Sequence, residues 1–271
     1  MAVSYRHIQI ETEGHVGWLW LNRPRKMNAF SPDLWEDLPR AVRELSARSE
    51  VRVIVVAGRG RAFTVGIDLN MLAGLAPAGG SPAAIKRALF RRLKELQETF
   101  SSLESSPVPV IAAVHGWCLG AGMDLITACD IRLAASDAVF SVRETRMAMV
   151  ADMGTLERLP KVVSSGHVAE LVYTGKDIDA ARAEQMGLVN QVYDDQESLI
   201  SGAADWAGQI AANSPLAVQG AKAVLSAERG LSVSEALDYV ALWNTAFLES
   251  DDLNEAVASF MERRPPRYTG N

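Results

Sequence analysis

The chain has 271 residues, 48% of them apolar, with 27 Lys and Arg against 33 Asp and Glu and a net charge of −6. That length supports a sizeable core and suggests one large domain or a domain with an extension. Two cysteines, Cys118 and Cys129, with no CxxC pair and no Cys/His cluster at ligand spacing, exclude a disulfide-stapled miniprotein, argue against a metal site and fit a reducing compartment. The acidic balance disfavours nucleic acid, and the apolar runs fall far short of the ~20 residues of a membrane span. Strand patterning begins almost at residue 7, leaving no room for a signal peptide, and Thr269-Gly270-Asn271 is no peroxisomal address, so a cytoplasmic protein is expected. The charge is graded: up to Arg61 there are ten Lys and Arg against seven Asp and Glu, so the N-terminal part is locally basic.

Residues 8–12 and 16–21 alternate as strands around Glu13-Gly14-His15, a hairpin. Ser31-Pro32 gives an N-cap and a first-turn proline, so a helix starts there, and Pro39 inside it predicts a kink or break near Leu38. The run 51–57 is β-branched and almost wholly apolar, the pattern of a strand buried on both faces of a parallel sheet. Residues 77–82 read as the most loop-like stretch. Ser81-Pro82 then repeats the cap signal before Ile85, Leu89, Leu93, Leu96, Phe100 and Leu103 recur at helical spacing. Another buried strand covers 107–114, strand-sized pieces at 131–134, 138–142 and 188–192 alternate with helical ones, and only helices follow. The reading is an α/β core over 1–195 and a helical C-terminal region over 196–271.

Chemistry concentrates at two turns and three acids. In VIAAVHGWCLGAGMDLITACD, at 110–130, a buried strand gives way to a Gly-rich turn (Gly120, Ala121, Gly122) and an apolar helix, whose free N–H groups suit a developing oxyanion. A similar turn lies at 62–69, and two such turns could aim two N–H groups at one carbonyl oxygen. Asp124, Glu144 and Asp152 each sit among apolar or small neighbours. Helix capping, a salt bridge to Arg143 or Arg146, and a turn are the ordinary readings of the three; buried together, they would repel and raise at least one pKa.

These segments, with NRPRKMNAF at 22–30, RAFTVGIDL at 61–69 and LVYTGKDIDAARAEQMGLVNQVY at 171–193, resemble the crotonase (enoyl-CoA hydratase/isomerase) superfamily over nearly the whole chain. FSVRETRMAMVADMGTLERLPKV, at 140–162, resembles its Δ3,5-Δ2,4-dienoyl-CoA isomerase branch. The resemblance implies a crotonase-like (ClpP/crotonase) α/β fold of repeated ββα units with a helical C-terminal trimerisation region. Hydratases of the superfamily carry glutamates at the positions of Asp124 and Glu144 and a small residue at that of Asp152; dienoyl-CoA isomerases carry Asp, Glu and Asp, as here.

By that resemblance the N–H groups of Ile67 and Ala121 hold the thioester oxygen, Glu144 and Asp152 act as base and acid, and Asp124 orients Glu144 by a hydrogen bond. Ala121 stands where the family usually has glycine, a change that keeps the donor. Arg25, Lys26 and Ala29 are implied near the CoA nucleotide, Val65, Gly66, Ile67, Asp68 and Leu69 along the pantetheine and thioester together with Gly120, and Phe260 with Arg263 in a tail often lent by a neighbouring subunit. The expected function is a dienoyl-CoA isomerase of fatty-acid β-oxidation, with an acyl-CoA substrate, no cofactor beyond the CoA of that substrate, no metal, and a homotrimer or dimer of trimers. An enoyl-CoA hydratase is the alternative. A non-catalytic acyl-CoA-binding or RNA-associated protein of the same fold is a further one.

Overall fold

The computed structural model describes residues 4–72, 79–228 and 230–271. The chain opens with the hairpin of β1 (Ile8–Glu13) and β2 (Val16–Leu21), turning at Gly14 with a left-handed φ of 56°. Next come α1 (Pro32–Ser46), β3 (Val53–Gly58), the short α2 (Leu69–Leu72) and the long α3 (Pro82–Glu104). Ser31 and Ser81 cap α1 and α3 as their sequences predict, each hydroxyl oxygen accepting a main-chain N–H of the first turn. Then follow β4 (Val110–Val114), β5 (Trp117–Leu119), α4 (Ala121–Thr127), β6 (Ile131–Ala135), β7 (Val139–Ser141), α5 (Thr155–Arg158) and α6 (Ser165–Thr174). After β8 (Ile178–Asp179), α7 (Ala180–Gln185) and β9 (Gln191–Tyr193), the rest is helical: α8 (Gln196–Ala211), α9 (Pro215–Ala227), α10 (Val233–Phe247) and α11 (Asp251–Glu262). Of the predicted loop at 77–82, residues 77–78 lie outside the described residues.

Six strands form one sheet in the order β1-β2-β3-β4-β6-β9, parallel except for the β1–β2 hairpin, and β5, β7 and β8 form a second, smaller sheet. The apolar runs of β3 and β4 are buried throughout because the large sheet is covered on both faces. On one face Val53, Val55, Ile111 and Ala113 pack against Leu199, Ala203 and Ala207 of α8, so the first C-terminal helix closes the core. On the other, Ile54, Val56, Val110 and Ala112 join α1, α3, α4 and the second sheet. An aromatic trio, Phe30, Trp35 and Phe100, with ring centroids 5.0–5.3 Å apart, ties α1 and α3 to the loop after β2.

The break expected near Leu38 does not occur, and α1 runs through Pro39 as one helix. Pro39 deprives the Trp35 carbonyl of its donor four residues on. The buried Thr99 hydroxyl of α3 donates to that carbonyl at 3.1 Å, restoring the missing bond from outside the helix. The strands β5 and β8 were not predicted; at three and two residues they are too short for an alternation to show.

Candidate active site

The two Gly-rich turns meet. Thr64 N–H donates to the Trp117 carbonyl at 2.9 Å and Leu119 N–H to the Thr64 carbonyl at 3.1 Å, joining the loop after β3 to β5. Gly66, with φ of 89°, lies so close that a Cβ there would stand 2.8 Å from the Leu119 carbonyl oxygen and 3.4 Å from the Ala121 nitrogen. Only glycine allows that approach.

Neighbouring main-chain donors in both turns are used. Val65 N–H goes to the Met27 carbonyl, Gly66 N–H to Thr64 Oγ1, Asp68 N–H to the Phe30 carbonyl, and Gly120 N–H to the Ser141 carbonyl. Among the described residues the N–H groups of Ile67 and Ala121 have no acceptor. Two free donors on turns in van der Waals contact are the components of an oxyanion site.

The loop at 22–30 braces this arrangement through residues the sequence reading did not single out. Met27 and Asn28 are both left-handed, with φ of 47° and 54°, a conformation asparagine tolerates better than most residues. The buried Asn28 side chain donates to the carbonyls of Arg59 (3.0 Å) and Ala62 (2.8 Å) and accepts from Arg23 N–H (2.8 Å). Asp68 turns its carboxylate to Arg23 at 2.8 Å, and that hydrogen bond holds its pKa below the ordinary value. Its side chain braces the loop. The buried His115 ring adds a bond to the Gly60 carbonyl at 2.8 Å; burial lowers its pKa.

The three acids come together, each in a different setting. Asp124, in the first turn of α4, is 1% exposed, and its Oδ1 accepts from Thr155 N–H at 2.7 Å and Thr155 Oγ1 at 2.6 Å. Its pKa is pushed up to about 7, first by burial and then by the charge of Glu144, against the lowering effect of the Thr155 bonds. The predicted hydrogen bond from Asp124 to Glu144 is absent among the described residues: Thr155 takes Asp124 Oδ1, and the two acids are coupled through charge. Glu144 is half-buried, with Oε1 3.3 Å from the point where a Gly120 Cβ would lie and Oε2 sealed without a hydrogen-bond partner among the described residues. Burial raises its pKa, and so does the charge of Asp152.

Asp152 is exposed, which corrects the expectation that all three acids are buried together. Protein on one side still strips enough water from its carboxyl to raise its pKa, helped by the charge of Glu157. Burial raises the pKa values of the thiols of Cys118 and Cys129, that of Cys129 to about 12, and the charge of Asp124 adds to the rise at Cys118.

Among the other predicted contacts, Ala29 and Gly120 are buried beside the turns, Val65 is half-buried, and Leu69 is exposed. Arg25 and Lys26 are exposed on the turn 24–26, with no ion pair among the described residues. Phe260, 82% exposed, and Arg263 lie at the end of α11 and, among the described residues, make no side-chain hydrogen bond or ion pair to the site loops.

The Enoyl-CoA hydratase/isomerase family model matches residues 11–271. The chain is 42% identical over 271 residues to the peroxisomal Delta(3,5)-Delta(2,4)-dienoyl-CoA isomerase of Arabidopsis thaliana, covering 98% of each. It is 40% identical to the mitochondrial enzyme of the same name from Dictyostelium discoideum, covering 99% of this chain and 93% of that one. The crystal structure of enoyl-CoA hydratase from Bacillus anthracis superposes with a TM-score of 0.89 at 31% identity, over 98% of this chain and 100% of that one. The fold is thus the crotonase-like α/β fold that the motifs predict. The cytoplasmic expectation is corrected: these named relatives work in peroxisomes and mitochondria. Two unpaired thiols fit a reducing interior in several compartments, so they carry no address.

Proposed function

The chain belongs to the enoyl-CoA hydratase/isomerase family, and on that premise we propose that it is a Δ3,5-Δ2,4-dienoyl-CoA isomerase of fatty-acid β-oxidation. The observation that carries the assignment is the third acid: Asp152 stands in electrostatic reach of both Glu144 and Asp124, and Glu144 keeps a sealed oxygen without a hydrogen-bond partner among the described residues. Adding water needs no third carboxyl. Shifting a diene from positions 3,5 to 2,4 removes a proton at C2 and delivers one at C6, and that takes two groups spaced along the acyl chain.

The N–H groups of Ile67 and Ala121 receive the thioester oxygen, whose charge grows as the C2 proton leaves; one such donor is worth about 3–4 kcal/mol in the transition state. Glu144 and Asp152 exchange the two protons as base and acid. Their raised pKa values bring proton affinity closer to neutrality, which suits groups that must both take and give a proton. Asp124, anchored by Thr155, places a fixed charge or proton beneath Glu144. The chemistry moves protons alone, and the CoA is part of the substrate.

Arg25 and Lys26 are the proposed contacts of the nucleotide phosphates, supported by their exposure without an ion-pair partner among the described residues. The assembly is proposed to be a homotrimer or dimer of trimers, through the C-terminal helices that follow the 1–195 core. Leu237, Leu242, Val257, Phe260 and Met261, all exposed in the single chain, support that reading, and in such an assembly Phe260 and Arg263 would be the residues lent to a neighbour's CoA site. The functional test offers the purified protein a 3,5-dienoyl-CoA and a 2-enoyl-CoA in parallel and follows ultraviolet absorbance. Growth of the 2,4-dienoyl band supports the assignment; loss of the enoyl band without it assigns a hydratase instead.

A further inference from the structure

The segment that carries Asp152 is held in an unusual way. Among the described residues, no main-chain N–H from Val150 to Gly154 makes a main-chain hydrogen bond, so neither a sheet nor a helix fixes it. Its polar anchors come instead from one face of α3. Gln97, Ser101 and Glu104 recur at i, i+4 and i+7, a single helical stripe about 10 Å long. Gln97 Nε2 donates to the Asp152 carbonyl at 2.7 Å. Ser101 Oγ and Glu104 Oε2 accept from Arg158 Nη2 and Nε at 3.0 and 2.8 Å.

Arg158, nine-tenths buried, passes the grip onward: its Nη1 donates to the Met153 carbonyl at 3.3 Å. Gly154, with φ of 121°, makes room for it, since a Cβ there would collide with the guanidinium. The next residue, Thr155, holds Asp124. One guanidinium therefore fixes the chain between Asp152 and the anchor of Asp124, and the planar fork of arginine suits three simultaneous acceptors as a lysine ammonium does not.

We propose that Arg158, seated on the Gln97–Ser101–Glu104 stripe of α3, is a positioning residue that sets where Asp152 stands relative to Glu144 and so controls the proton transfer at one end of the diene alone. The proposal rests on the isomerase reading above. Glu144 is held elsewhere, at the start of the turn after β7, so loosening the α3 grip leaves its own exchange reaction in place. Misplacing a reacting group by about 1 Å costs roughly 100-fold in rate. The cost falls on completed isomerisation and spares exchange at the end that Glu144 serves.

The test compares wild type with Arg158→Lys and Gln97→Ala in deuterated buffer. It measures isomerisation by absorbance and solvent deuterium entering C2 of recovered 3,5-dienoyl-CoA and C6 of the 2,4-dienoyl product. Gln97→Ala removes a single anchor on a half-buried side chain and keeps the test decisive if Arg158→Lys fails to fold. The expected result is a fall in kcat of roughly 10- to 100-fold with KM within about twofold, while exchange at one of the two carbons persists, so that its ratio to turnover rises at least about tenfold. A simple loss of stability lowers exchange and turnover together, and that outcome overturns the positioning role, as does an unchanged ratio in both variants. Wild-type protein without any dienoyl isomerisation overturns the functional reading itself, a result separate from either.

Discussion

Replacing Asp124 by Asn tests whether the buried acid is kept at a cost to the fold. A carboxyl moved from an ordinary 3.8 to about 7 in the folded protein binds its proton more tightly there than in the unfolded chain. Folding stability is then fullest below pH 4 and drains as the pH rises towards 7, because the folded state must give up a proton that the unfolded chain has already lost. At about 1.4 kcal/mol per pH unit, the whole passage is worth about 4 kcal/mol. Asparagine at 124 keeps an oxygen to accept both Thr155 bonds and removes the charge that burial, Glu144 and Asp152 oppose. Urea unfolding of wild type and Asp124→Asn between pH 4 and 8 should therefore give matching stabilities at pH 4 and a variant more stable by up to about 4 kcal/mol at pH 8. Its catalytic turnover should fall. Parallel pH profiles for the two proteins, or a variant weaker at pH 8, would refute the claim that Asp124 is strained by burial and by its acidic neighbours.

Asp152→Asn, by removing one member of the proton-transferring pair, should lower dienoyl isomerisation by roughly 10²- to 10⁴-fold with acyl-CoA binding retained, measured as kcat and as Kd by calorimetry. Gly66→Ala should separate the two N–H-bearing turns, since its Cβ would press on the Leu119 carbonyl and the left-handed backbone resists a side chain; kcat falls and stability drops by about 1–3 kcal/mol in thermal unfolding. Thr99→Val should leave the Trp35 carbonyl of α1 buried without a donor, costing about 1–3 kcal/mol of stability while kcat at low temperature holds.

The parts of the fold that repeat along the chain were legible in the sequence. The hairpin at Gly14, the caps at Ser31 and Ser81, the double-faced burial of β3 and β4 and the Gly-rich entry to α4 all follow from local spacing and turn chemistry. The three acids and the two turns stood out locally as well, but only the resemblance to the crotonase superfamily singled them out as one candidate site. What local spacing cannot carry is partnership between distant side chains. Thr155 takes the Asp124 oxygen from 31 residues away, Thr99 rescues the Pro39 site from 64 residues beyond Trp35, and Arg158 reaches back to α3 across 54 residues. Asp152 is exposed although Ala151 beside it is buried in the core, because the segment alternates in and out with Val150 also exposed, and no regular spacing in the sequence announces that alternation. Asn28 left the clearest signal: an asparagine in a turn before a buried aromatic fits a left-handed position.

The central claim is that Glu144 and Asp152 are two separate proton carriers at the two ends of a diene. Wild-type conversion of a 3,5-dienoyl-CoA in deuterated water, with the product read by NMR, tests it most directly. A 2,4-dienoyl product carrying solvent deuterium at C6 is the predicted result. A product that carries the substrate's own C2 hydrogen at C6, or a hydrated product in its place, would contradict it.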